Sequence, residues 1–342
     1  MNQKRCTLRK LAKSNFSEFE KIRDVTTLQT FLKPRVYNYL MALAYVHLKY
    51  IENLVTKFGP PETILFLGRQ RLDTGDKRIS KLIHKNYKCN NKAIPDSWES
   101  NFADVFMLDC KWATKIDSID NSEFEGANVI HNLNEPINES WAGKYDLIID
   151  GGTLEHVFNL PIALGNISSL LKIGGRILHF NPSNNYMGHG FYQFSPELFA
   201  SFYSGKNGFV DTKVFLFDPK KRKFLFRVNL ENLSGRIEIR KSGPLEVWSE
   251  SRKFNHTTMY DVQQTDYVVR WADTVSEVGA SDEEYTLRWG KVAPILKKIK
   301  KNKVTYLMAL YVYSFYKRNL STTSQNHKIS KRNSDLSSIS WK

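Results

Sequence analysis

Between residues 61 and 180 the chain repeats one pattern, a short apolar run closed by turn residues and then a stretch with helical spacing. The runs are ETILFLG after Pro60, KIDSID at Lys115 to Asp120, NVIH at Asn128 to His131, YDLIID at Tyr145 to Asp150 and RILHF at Arg176 to Phe180. Such short apolar runs are the mark of strands buried on both faces. Phe102 to Trp112 and Val157 to Leu171 instead place apolar residues three and four apart, as amphipathic helices do. Their alternation predicts right-handed crossovers and an α/β fold: a mostly parallel sheet with helices on both faces and ligands at the carboxyl ends of its strands.

The flanks read differently. Residues 34 to 58 keep helical spacing throughout, with Pro34 at the first turn and Gly59-Pro60-Pro61 as a stop, which predicts one long helix within an N-terminal helical extension, residues 1–59. The core is assigned to 60–217. Past a helix start at Ser195-Pro196-Glu197, β-rich stretches follow at Lys213 to Phe217, Lys223 to Val228, Arg236 to Arg240 and Leu245 to Phe254. They predict β-rich C-terminal additions over 218–316, with hairpins that complete the sheet. From Lys317 onward hydrophobics thin out, and 317–342 is expected to be a disordered tail.

The net charge of +15 is unevenly spread: +7 over residues 1–60, +3 over 61–100, −6 over 101–217 and +11 over 218–342. An acidic middle does not suit a nucleic-acid binder, so nucleic acid is disfavoured as a partner. The basic run Lys291 to Lys303 and the aromatic stretch after it, residues 291–318, are a candidate contact for an anionic membrane surface or polymer. Cysteine occurs only at Cys6, Cys89 and Cys110, without metal-finger or disulfide spacing. With no signal-like apolar run at the N-terminus and no stretch near the roughly 20 residues of a spanning helix, a cytoplasmic location is expected.

Tyr145 to Val157, YDLIIDGGTLEHV, together with the later LLKIGGRIL, resembles the second half of class I S-adenosylmethionine-dependent methyltransferases, which are Rossmann-like. The resemblance covers roughly residues 60 to 200. It implies S-adenosyl-L-methionine as cofactor. The family's glycine-rich loop is here Leu67-Gly68-Arg69-Gln70, with a single glycine. Gly68, Arg69 and Gln70 are therefore the expected cofactor loop, and Asp120, at the end of KIDSID, is the expected partner of the ribose hydroxyls. An insertion, basic between Lys77 and Lys92, accounts for the long gap before it. Asn132 and Asn134 stand where the family often places an acidic acceptor for the adenine amino group, and an amide carbonyl accepts the same bond. Asp150 and Gly151 are expected to border the cofactor, where glycine lets the backbone approach.

Beyond the fifth strand, Asn181 to Gln193 (NPSNNYMGHGFYQ) combines amides, aromatics and a histidine between two glycines. Methyl transfer to a hydroxyl requires the acceptor to be held in line and its proton removed. His189 is the candidate base, its imidazole titrating near neutrality, with Gly188 and Gly190 giving it room to swing. Tyr192 and Gln193 are candidates to orient the acceptor, and Glu155, His156 and Asn181 to shape its pocket. His131, His156, His179 and His189 fall at or near strand ends and raise the question of a metal, but His131 and His179 lie within strands and no metal is expected. The function so read is methyl transfer to a hydroxyl or similar nucleophile of a small-molecule or saccharide acceptor. A non-catalytic methyltransferase-like scaffold, or a protein that binds an anionic polymer or membrane surface, stays open beside it.

Overall fold

The computed structural model describes residues 42–73, 77–79, 81, 102–219, 225–228, 239–240, 243–257, 259–265, 267–268, 271 and 321–322. Eight strands form the central sheet: β1 (Thr63–Leu67), β2 (Lys115–Asp120), β3 (Val129–Ile130), β4 (Tyr145–Asp150), β5 (Leu171–Asn184), β6 (Phe209–Phe217), β7 (Leu225–Val228) and β8 (Leu245–Lys253). Their order across the sheet is β3-β2-β1-β4-β5-β8-β6-β7. The first five are parallel, and β8 runs antiparallel between β5 and β6. This is the α/β, Rossmann-like architecture that the alternation of runs predicts.

Side chains alternate between two cores. Ile64 and Phe66 of β1, with Leu147 and Ile149 of β4, face a layer built by α1 (Tyr45–Phe58) and α2 (Ala103–Asp109). Leu65, Leu67 and Ile148 face α3 (Leu160–Leu170) and α4 (Pro196–Phe202) on the other side. Each such side chain contributes about 1.5–3 kcal/mol by leaving water, so both faces of the sheet need their helices.

The N-terminal helix differs from expectation. It begins at Tyr45, because Ala42–Leu43 run extended beside Arg71–Leu72. The Ala44 N–H donates to His47 Nδ1 at 3.0 Å, so an imidazole caps the first turn where a carboxylate usually would. The other ring nitrogen lies 3.1 Å from Glu246 Oε2, which also accepts from Trp248 Nε1 at 2.9 Å. Val46, Leu48 and Ile51 are buried in the same core, so α1 covers one face of the sheet.

Two other boundaries move. The LKIGGR turn lies inside β5, whose pairing with β4 jumps from Tyr145↔Leu171 to Leu147↔Arg176. Gly174 takes φ +87°, and a Cβ on Gly175 would lie 3.0 Å from the Asp146 carbonyl oxygen, so the irregularity demands both glycines. Ser321–Thr322, in the stretch expected to be a disordered tail, pair antiparallel with Ile239–Arg240. The basic insertion around 77–92 lies mostly, and residues 291–318 wholly, outside the described residues. Among the described residues no helix is long and apolar enough to cross a membrane.

Candidate functional site

From β1 the chain proceeds to β2 and β3 on one side of the sheet, while β4 leads to β5 on the other. The switch between β1 and β4 leaves a crevice at their carboxyl ends, where open α/β sheets bind ligands. Gly68 leaves β1 there with φ +63° and donates its N–H to the Ile119 carbonyl at 2.8 Å. A Cβ on Gly68 would stand 2.8 Å from Thr153 Oγ1, 3.6 Å from Gln70 Nε2 and 3.8 Å from Asp120 Oδ2, so the missing side chain lets Thr153 close against the end of β1 beside Asp120. Asp120 Oδ1 accepts from the Asn121 N–H at 2.7 Å, and among the described residues no donor reaches Oδ2. The pairing of Leu67 with Ile119 brings Asp120 beside Gly68 across 52 residues of sequence. Phe124, 90% exposed, follows in the next loop.

The rest of the expected cofactor loop is committed to the fold. Arg69 Nη2 lies 3.0 Å from Asp104 Oδ2, its Nη1 donates to the Glu125 carbonyl at 3.1 Å, and its guanidinium covers the Phe102 ring at 3.9 Å. Gln70 is buried and donates to the Leu67 carbonyl at 2.8 Å, while its amide fills the space a side chain on Gly151 would need. Gly151 is thus a packing glycine for Gln70. Asp150 is fully buried, its Oδ1 accepting from the Thr153 N–H at 2.8 Å and its Oδ2 meeting His179 Nδ1 at 2.9 Å and Asn181 Nδ2 at 2.8 Å. These contacts tie the side chains of Arg69, Gln70 and Asp150, and Gly151 packed beside Gln70, into the crevice wall. Asn132 Oδ1 accepts from the Asn134 N–H and side-chain amide, and Asn134 Oδ1 from the Asn159 N–H at 2.8 Å, so both amide carbonyls expected for adenine are drawn into a local network.

The acceptor-side residues converge more closely. Glu155 is fully buried on a single turn of 3-10 helix, Leu154–His156, and its carbonyl accepts from the Phe191 N–H at 2.7 Å. A Cβ on Gly190 would stand 2.7 Å from that carbonyl oxygen. Gly190 therefore seats the loop on Glu155 and does not free His189 to swing. His189 Nε2 is held 3.6 Å from Glu155 Oε1, and the rings of His156 and His189 meet edge to face at 5.1 Å. Asn181 donates Nδ2 to Glu155 Oε2 at 3.1 Å as well as to Asp150, so it is a buried bridge between two carboxylates. Tyr192 donates its hydroxyl to the Phe158 carbonyl at 2.7 Å, and Gln193 Oε1 accepts from the Tyr186 N–H at 2.7 Å. Both side chains are tied into the loop.

Thr153 and Tyr186 were not singled out in the sequence. Thr153 Oγ1 donates to the Leu67 carbonyl at 2.5 Å and joins the ends of β1 and β4, and a lone threonine after GG carries no signal of that. Burial, then Glu246, Asp218 and Glu155, push the Tyr186 phenol far above its ordinary range, so it stays a hydrogen-bond donor. Phe158, Met187 and Phe191 are exposed around the cluster, the two phenylalanine rings 5.8 Å apart, and form an apolar lip.

No protein-family model and no curated protein matches the chain. It is similar in structure to a Burkholderia thailandensis 1,6-didemethyltoxoflavin-N1-methyltransferase bound to 1,6-didemethyltoxoflavin and S-adenosylhomocysteine, at 15% identity and TM-score 0.35, over 72% of this chain and 90% of that one. It is also similar to a Haemonchus contortus phosphoethanolamine N-methyltransferase 2 in complex with S-adenosyl-L-methionine, at 10% identity and TM-score 0.35, over 60% of this chain and 52% of that one. A third is the branched-chain polyamine synthase of Thermus thermophilus, at 14% identity and TM-score 0.30, over 62% and 59% of the two chains. The chain spans just over half the length of the last two. The architecture stated above rests on the strand order and crevice themselves, and these distant likenesses assign no reaction.

Proposed function

We propose that the chain is an S-adenosylmethionine-dependent methyltransferase acting on a hydroxyl or similar nucleophile of a small-molecule or saccharide acceptor. The observation that carries this reading is the Asp120 Oδ2 left without a donor among the described residues, beside Gly68 at the crevice between β1 and β4. A carboxylate oxygen there accepts from ribose hydroxyls. The Gly68 N–H is spent on Ile119, so the methionine end is not held by a row of loop amides as in the family pattern. S-adenosylmethionine held at Asp120 would supply an activated methyl group for transfer to the acceptor, with S-adenosylhomocysteine as the leaving group. This chain supplies the apolar lip of Phe158, Met187 and Phe191 to seat the acceptor, and the Glu155–His156–His189 cluster as the place where its proton is given up.

Calorimetry with S-adenosylhomocysteine tests the reading. The wild-type chain is expected to bind, and Asp120→Ala to bind about 10- to 100-fold more weakly, since a hydrogen bond to a charged group contributes roughly 1.5–3 kcal/mol. A folded mutant with unchanged affinity removes the ribose assignment. One observation favours the second reading, a non-catalytic scaffold: Arg69 and Gln70 are locked into the wall by Asp104, Phe102 and Gly151. No heat with either form of the cofactor would establish it.

A further inference from the structure

We infer that Glu155, His156 and His189 form a binding site for one divalent first-row transition-metal ion, open to solvent on the His156 side. Each offers one ligand atom, and these atoms lie within 4.8 Å of one another. Two imidazoles and one carboxylate with positions left over are a donor set for zinc or iron(II), whereas magnesium and calcium take oxygen ligands. The inference stands apart from methyl transfer, and rests on that reading only for what the ion does.

The site shows what it lacks. Glu155 is 0% exposed, and its Oε1 is buried with no hydrogen-bond donor. His189 Nε2, 3.6 Å away, is likewise buried without a partner. Among the described residues no lysine or arginine comes within 4.0 Å of Glu155 or of Asp150, to which Asn181 links it. A buried carboxylate oxygen and a buried ring nitrogen facing each other at 3.6 Å need a proton or a cation between them. A cation there satisfies both.

The spacing agrees. With metal–nitrogen and metal–oxygen bonds near 2.1 Å, tetrahedral ligands stand about 3.4 Å apart, close to the Glu155–His189 separation. The longer separations close by about an ångström of side-chain rotation, and the exposed His156 ring has room for it. Asn181 Nδ2 holds Glu155 Oε2, which turns Oε1 toward the histidines, the orienting contact that metal ligands normally receive. Gly190 and the Phe191 N–H fix the Glu155 backbone from the other side. On the methyl-transfer reading, an acceptor hydroxyl at an open position of the ion loses its proton to solvent more readily, and His189 is a ligand and not the base.

The test is calorimetric titration of the chelator-stripped full-length chain with Zn²⁺, and with Co²⁺ followed by its visible absorption. One ion per chain is expected to bind. His156→Ala, His189→Ala and Glu155→Gln should each weaken binding at least about tenfold, and the surface control His256→Ala should leave it unchanged. His156 is exposed, so its variant keeps the fold and the experiment does not hinge on the buried glutamate. Absence of saturable binding, or binding indifferent to both His156→Ala and His189→Ala, overturns the site. Titration of the same stripped sample with S-adenosylhomocysteine separates the two proposals: nucleoside binding without metal binding refutes only this one, and metal binding without nucleoside binding refutes only the other.

Discussion

Asp150 and His179 lie side by side on the neighbouring parallel strands β4 and β5, fully buried, with 2.9 Å between Asp150 Oδ2 and His179 Nδ1. His179 Nε2 continues the chain to the Tyr203 hydroxyl at 2.6 Å. A neutral ring with its proton on Nδ1 satisfies both contacts, donating to the carboxylate and accepting from the phenol. Removing the carboxylate strands His179 Nδ1 and the Thr153 N–H, and takes from Asn181 one of its two acceptors. Asp150→Ala is therefore expected to cost about 2–5 kcal/mol of stability, read from urea unfolding, since each buried donor left without an acceptor costs about 1–3 kcal/mol. A loss below about 1 kcal/mol would return Asp150 to the role of a ligand-facing residue.

Gly68→Ala should destabilise the fold in two ways. At φ +63° an alanine costs about 1–2 kcal/mol, and its Cβ would push Thr153 Oγ1 off the Leu67 carbonyl. Gly143, at φ +64° with nothing within 4 Å of a Cβ, is the comparison, since Gly143→Ala carries only the conformational cost. The difference between their unfolding midpoints measures the crevice contact. Equal losses would mean that Thr153 yields freely.

Where one run of sequence determines the structure, the sequence was readable. TILFL and YDLIID are buried on both faces and could be nothing but inner strands, and Ser195-Pro196 caps and opens α4 as its residues require. What escaped depends on partners far away. Ala42–Leu43 leave the helical pattern because they pair with Arg71–Leu72, and Arg69 turns from the crevice because Asp104 and Phe102 are waiting for it. The strand-end position of Asp120 could be read locally, from the KIDSID run alone. The Glu155–His189 approach could not, since 34 residues and the whole of α3 and β5 separate the two.

Gly190 joins those distant segments, and its replacement should act on the cluster before it acts on the fold. A Cβ would press on the Glu155 carbonyl oxygen at 2.7 Å and on Cγ at 3.0 Å, lifting the loop that carries His189. Gly190→Ala is expected to shift stability by no more than about 1–3 kcal/mol, the usual range for overpacking, while weakening Zn²⁺ binding about tenfold and leaving S-adenosylhomocysteine affinity unchanged. Metal binding as tight as wild type would show that the loop relaxes around the methyl group and that the close approach is incidental.

At alkaline pH the buried phenols should govern stability. Burial, then Asp150 and Tyr260, hold the Tyr203 hydroxyl well above the ordinary value of 10.0, and Tyr145 and Tyr260 are raised in the same sense, chiefly by burial. Above pH 10 the unfolded chain gives up protons that the folded chain keeps, so the folded state binds more protons and stability falls as pH rises. Cys110, pushed up to about 12 from 9.0 by burial and the nearby Asp109 and Glu52, adds the same sign from pH 9 onward. Lys253 opposes them: burial lowers its ammonium below 10.5, so the folded chain binds fewer protons just under that pH and its contribution rises with pH. With Tyr186 also raised, four phenols and a thiol outweigh one lysine, and the urea midpoint should decline between pH 9 and 11. Tyr203→Phe should lose about 1 kcal/mol at pH 8 with its bond to His179 and then decline less steeply than wild type. Parallel curves for the two proteins would show that Tyr203 does not hold its proton on account of the fold.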